Sequence, residues 1–179
     1  MKSKFVNNSK KLIAIDIILM IVLVAIDQIV KVLVKPLEIN GPVDIIPDVL
    51  QLHYCENQGA AFGILEGQRV FFVFLALVFF LFMAVIIAKL PNEKKFVKLN
   101  IVFTFIFAGA IGNTIDRILN GYVTDFIYFK LINFPIFNIA DIYITVSTVL
   151  VIIFILFCYK DEDFAFLKKK KANTRDIEE

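Results

Sequence analysis

The sequence predicts an all-α membrane protein: four transmembrane helices, both termini cytoplasmic, and a small extracytoplasmic β element in the first outer loop. Three observations predict it. The first is composition, since 59% of the 179 residues are hydrophobic and 20 are phenylalanine, with a mean hydropathy of +0.80. A soluble domain of this size has no interior large enough for that surface, and exposed apolar patches beyond roughly a few hundred Å² drive association. The second is segment length. Residues 12–34, 70–90, 96–119 and 136–159 each reach the ~20 apolar residues that cross a hydrocarbon core.

The third observation is where the cations lie. Lys2, Lys4, Lys10 and Lys11 precede the first span, Lys89, Lys94, Lys95 and Lys98 bracket the connection at Pro91, and Lys160, Lys168, Lys169, Lys170, Lys171 and Arg175 follow the fourth. One side therefore holds 14 of the 19 basic residues, and positive charge marks the cytoplasmic side. Lys35, Arg69 and Lys130 flank the opposite loops. The expected organisation is one domain over residues 1–160, with outer loops 36–69 and 120–135, followed by a charged cytoplasmic tail over 161–179 without periodicity. The first span is too long for a cleaved leader, and no small-residue cleavage site follows it.

The long outer loop carries Gly41, Pro42 and Pro47 and then the alternating stretch from Val49 to Tyr54, which predicts a small β structure. A turn and a short helix near residues 60–65 are expected after it. Cys55 and Cys158 make no disulfide framework. The chain has a single histidine, His53, and a zinc site of the usual kind needs several nitrogen or sulfur ligands. No metal, no cofactor and no nucleic-acid partner is expected.

A charge at the bilayer centre costs at least about 2.5–3.5 kcal/mol on insertion scales, so each one asks for a reason. Asp27, Gln28 and Lys31 lie near the outer end of the first span, Asn113, Asp116 and Arg117 near that of the third, and Asn138 and Asp141 at that of the fourth. At 1.5 Å per residue all fall within about 10 Å of the outer boundary. Asp125 follows the third span at a similar level. A shared polar site explains that convergence; a scatter of tolerated charges does not. Asp27 and Lys31 are four apart, so two readings stand: they neutralise one another on a helix face, or they also support a site. Arg117 either reaches lipid headgroups or orients a carboxylate from another helix. Gly109 and Gly112 read as helix-packing positions.

Asp125 and Asp141 are the candidate catalytic pair. Two carboxyls in contact share a proton, and one ionised and one protonated carboxyl around a water can cleave an amide. The alternative is that either caps a helix or pairs with Arg117.

Five stretches resemble the lipoprotein signal peptidase (signal peptidase II) family. They are Asp27-Gln28-x-x-Lys31, Asn57-Gln58-Gly59-Ala60-Ala61-Phe62-Gly63, Gly112-Asn113-x-x-Asp116-Arg117, Gly121-x-Val123-x-Asp125-Phe126 and Phe137-Asn138-x-Ala140-Asp141. The resemblance covers the chain from about Asp27 to Leu150, and Ser147 stands where the family commonly has glycine. It implies a membrane-embedded aspartyl endopeptidase of the bacterial plasma membrane, with its site at the extracytoplasmic face. Such an enzyme removes signal peptides from prolipoproteins by cutting before a diacylglyceryl-modified cysteine. By that resemblance Asp125 and Asp141 are catalytic. Asn57, Gly59, Asn113, Arg117 and Asn138 bind substrate or support the pair, and Asp27, Lys31 and Asp116 are structural. The implied partners are lipidated prolipoproteins and membrane lipids, and a monomer suffices.

Two other classes compete. A proton-coupled transporter would continue its polar residues to the cytoplasmic side, where the spans read as nearly unbroken apolar runs. A non-catalytic lipid-binding protein would tolerate loss of either aspartate.

Overall fold

A computed structural model describes residues 2–59, 67–91 and 93–167. The element order is α1 (Lys2–Val34), α2 (Leu37–Asn40), β1 (Val43–Ile46), β2 (Leu50–Asn57), α3 (Arg69–Lys89), α4 (Val97–Leu119), β3 (Val123–Phe129) and α5 (Ile139–Phe157). Four helices are long and apolar enough to cross a membrane. The expected short helix near residues 60–65 lies outside the described residues, as does the tail beyond Leu167.

Local chemistry sets the element ends. Pro36 follows α1 and Pro91 follows α3, and a proline cannot donate to the helical ladder it would extend. At the end of α4 the chain turns through Gly121 at φ +89°, a left-handed conformation that glycine adopts without steric cost. The fourth span was expected from residue 136 but its helix starts at Ile139, because Asn138 and Asp141 close a capping box at that point. The first stretch of the expected tail is ordered as 3₁₀ turns over Asp161–Leu167. Tyr159 stacks on Phe96, and Asp163 pairs with Lys95 at 2.8 Å.

α4 is the central helix. It is buried along most of its length, whereas α1, α3 and α5 expose long apolar faces. At the end remote from the sheet, Met83, Phe96, Leu99, Phe103 and Ile106 form the apolar core. Gly109 lets α5 approach closely, since a Cβ there would stand 2.5 Å from the Ala140 carbonyl oxygen. One polar contact in this remote half was not anticipated. Asp16 accepts from Asn100 at 2.5 Å and from Thr104, pinning α1 to α4.

The three strands form an antiparallel sheet in the order β1-β2-β3. β1 and β2 come from the expected β region, but β3 was expected to be loop. Val123-Thr124-Asp125-Phe126-Ile127-Tyr128-Phe129 is rich in β-branched and aromatic residues, the composition that suits a half-buried pleat. The register places Cys55 opposite Asp125 and Asn57 opposite Val123. Asn57 and Asp125 are therefore diagonal neighbours on one face. Just before α5, Phe137 accepts from the amides of Phe126 and Ile127 and donates to Ile127. The chain entering α5 is thus tied to β3 directly beyond Asp125.

Gly109→Ala should force α5 away from α4, because its nearest neighbour is backbone and cannot rotate aside. Overpacking of this kind costs about 1–3 kcal/mol, which a lowered unfolding temperature in detergent would register.

Candidate active site

Asp125, on β3, is 2% exposed. Its two carboxylate oxygens accept different amides: Oδ1 from Asn138 Nδ2 at 2.7 Å and Oδ2 from Asn57 Nδ2 at 2.8 Å. Asp141, in the first turn of α5, accepts from Asn113 Nδ2 at 2.8 Å and from the Asn138 backbone N–H at 3.0 Å. Asn138 is fully buried and joins the two acids. Its amino group serves Asp125 and also donates to Asn113 Oδ1 at 3.0 Å, and its carbonyl accepts the Asp141 N–H at 2.9 Å. The helix-capping reading of Asp141 holds, since it closes the capping box with Asn138. Capping and bridging are done by one asparagine.

Burial raises the Asp125 carboxyl first, and the charge of Asp141 adds to it, taking its pKa up to about 7 against the pull of Asn57 and Asn138. The Cys55 thiol is also pushed up, by burial and then by Asp125. A thiol in that condition is a poor nucleophile. Among the described residues, no three side chains of His, Cys, Asp or Glu gather as metal ligands.

Beside the acids lies a second polar group. Lys31 Nζ contacts Asp27 Oδ2 and Asp116 Oδ2, both at 2.9 Å, and donates to Asn113 Oδ1 at 3.0 Å. All three charged side chains are almost completely buried. Gln28 was noted among the polar residues but not as a site residue. Its amino group reaches Asp27, the Gly112 carbonyl and Asp116 at 3.0–3.2 Å. Gly112 does more than pack helices: a Cβ there would meet Asp27 Oδ2 at 2.5 Å.

Arg117 makes its hydrogen bonds to backbone. Its guanidinium donates to the carbonyls of Gly59 at 3.0 Å and Asn113 at 3.4 Å, and it sits over the Phe72 ring at 4.8 Å. Gly59 in turn donates to Asn57 Oδ1 at 3.0 Å. The segment carrying Asn57 is thereby tethered to α4. Below Asn113 and Arg117 a cavity of about 360 Å³ opens between α3, α4 and α5, walled by Phe72, Leu75, Phe79, Ile106 and Ile144.

Among the described residues, four membrane-length helices stand around one buried acidic cluster beside a small sheet, which makes this a multi-pass membrane protein. Comparisons narrow the class. A family model described as signal peptidase (SPase) II matches residues 19–157. A lipoprotein signal peptidase from Caldicellulosiruptor bescii is 41% identical over 81% of this chain and 91% of its own length. One from Clostridium tetani is 37% identical over 79% and 92%. A solved structure of a bacterial membrane enzyme superposes with a TM-score of 0.68 at 33% identity, covering 82% of this chain and 96% of that one. The chain belongs to the signal peptidase II family, a family of membrane peptidases.

Asn138→Ala should remove the helix cap and leave donors and acceptors around both acids without partners. The expected cost is about 2 kcal/mol or more, read as a lower unfolding temperature of the purified protein.

Proposed function

We propose that the protein is an aspartyl endopeptidase of the bacterial plasma membrane that removes signal peptides from prolipoproteins, with Asp125 and Asp141 as its catalytic pair. The observation that carries this reading is Asn138, whose side-chain amino group donates to the Asp125 carboxylate and whose backbone N–H donates to that of Asp141. Family membership and relatives named lipoprotein signal peptidase support the substrate class. The excess of lysine and arginine at the end remote from the sheet supports placing the site at the extracytoplasmic face.

The chemistry follows from a pair that shares one proton. The ionised carboxyl takes a proton from water as the water oxygen attacks the scissile carbonyl carbon. The protonated carboxyl donates to the carbonyl oxygen, giving a tetrahedral diol. Collapse breaks the C–N bond, with a proton delivered to the departing nitrogen. The products are the carboxylate end of the signal peptide and the free amino group of the diacylglyceryl-modified cysteine. The cavity beside Asn113 is apolar over most of its wall, which suits the lipid-bearing residue or the leader helix. All the groups invoked come from one chain, so a monomer suffices, surrounded by membrane lipid.

Asp125→Asn and Asp141→Asn should each abolish cleavage of a lipidated precursor while the protein still purifies folded in detergent. Full turnover by either variant would remove the dyad.

The pH dependence has a definite sign. The Asn57 amide favours the ionised form of Asp125, whose pKa lies at about 7. Removing that amide raises the pKa further. The loss of activity at high pH, where the pair gives up its last proton, should then move to higher pH in Asn57→Ala. A kcat/KM profile for the lipidated precursor measures this, and a descent that stays put or moves toward acid contradicts it.

A further inference from the structure

The group of Lys31, Asp27 and Asp116 does more than neutralise charge. If it served neutralisation alone, one acid on the same helix face would be enough, and Asp27 supplies it at 2.9 Å. The fold adds Asp116 from α4 at the same distance, and each acid uses an oxygen for a further purpose. Asp116 Oδ2 accepts the backbone N–H of Thr124 at 3.1 Å, and Asp27 Oδ1 accepts that of Ala140 at 3.1 Å. Thr124 immediately precedes Asp125 and Ala140 immediately precedes Asp141. The two carboxylates that flank one lysine thus hold the main chain at the residue before each member of the pair.

The ammonium has a third donor, and it goes to Asn113 Oδ1. An ammonium only donates, so the Asn113 atom facing it is the carbonyl oxygen and the amino group is turned away. That amino group is the one bonded to Asp141. The same Oδ1 takes Asn138 Nδ2, which also serves Asp125. One buried cation therefore sets the direction of the amide donors that meet both acids.

We propose that Lys31, Asp27, Asp116 and Gln28 form a positioning clamp that fixes the separation and donor environment of Asp125 and Asp141, without touching substrate. This rests on the two-aspartate reading above. A small misplacement of reacting groups costs on the order of 10²-fold in rate, so the clamp should act on kcat and leave KM near its normal value.

The test uses the full-length protein in detergent with a lipidated precursor. Lys31→Met and Asp116→Asn should lower kcat about 10- to 100-fold with KM little changed. Gln28→Met, which leaves both ion pairs in place, should give a smaller fall of the same kind. Asn100→Ala serves as control, because it breaks the remote Asp16 contact. It should lower the unfolding temperature and leave kcat as it was. Folded Lys31→Met and Asp116→Asn with normal kcat would overturn the clamp. So would an Asn100→Ala protein that loses kcat as they do, since stability alone would then account for the effect. If the charged variants do not accumulate folded, Gln28→Met decides, and a normal kcat there overturns the proposal. The dyad and the clamp fail differently. An active Asp125→Asn would sink the dyad itself, whereas an inactive Asp125→Asn beside fully active clamp variants would sink only the positioning role.

Discussion

One ammonium group, buried between two carboxylates inside the bundle, is the contact on which the sheet end of this protein depends. Lys31, Asp27 and Asp116 come from α1 and α4 and are almost wholly removed from solvent. Breaking a buried pair by removing one partner typically costs about 3–5 kcal/mol, because the charge left behind has nowhere to go. Here the loss would spread, since the same two carboxylates hold the amides of Thr124 and Ala140. Four separate pieces of chain therefore meet at one point: α1, α4, the start of β3 and the start of α5. A lysine is well suited to this task. Its three donors leave in different directions, and here they engage Asp27, Asp116 and Asn113.

Much of the fold was readable from residues alone, because hydrophobic length and turn residues act locally. All four spans were placed within a few residues of their ends, and proline explains two of the stops. The polar residues that converge at one depth were also visible, since a charge inside an apolar run has few reasons to be there. Their pairing was not. Asp116 and Arg117 are neighbours in sequence and point in different directions on a helix, yet nothing local indicates that one meets Lys31 and the other two backbone carbonyls. That is settled by which helices pack together. β3 had a local signal in its β-branched and aromatic residues, but Asp125 in its middle made the stretch read as an outer loop. Asn138 combines both cases: its capping role follows from the Asn-x-x-Asp spacing, whereas its bond to Asp125 depends on Phe137 pairing with β3.

The helices divide the work unevenly, and composition reflects it. α4 carries Asn100, Thr104, Asn113, Thr114, Asp116 and Arg117 and is buried along most of its length. α3 carries no charged side chain between its two ends and shows most of its surface outward. A lipid-facing helix can be apolar throughout because lipid makes no demand for specificity. A central helix in the same medium must satisfy its polar groups inside the protein, which ties its sequence to its neighbours. Gly109 and Gly112 belong to the same logic. Both lie where α4 must come close to another group, a backbone carbonyl at one position and a carboxylate at the other.

The cations are kept off the two central acids, and that arrangement has a chemical consequence. Lys31 is occupied by Asp27 and Asp116, and the bonds of Arg117 among the described residues go to backbone carbonyls. Among the described residues, the hydrogen bonds that the Asp125 and Asp141 carboxylates accept come from amide donors. A bonded cation would favour the charged form of either acid, whereas the proposed mechanism needs one of the two protonated. Neutral amides orient the carboxyls more gently, so burial and mutual repulsion keep the Asp125 pKa up at about 7. In the proposed mechanism, a pair of acids that holds one proton between them, next to water and an amide, needs strong orientation and weak stabilisation of charge. Supplying the orientation through asparagines, and the rigidity through a cation one layer behind them, meets both requirements with the residues this sequence provides.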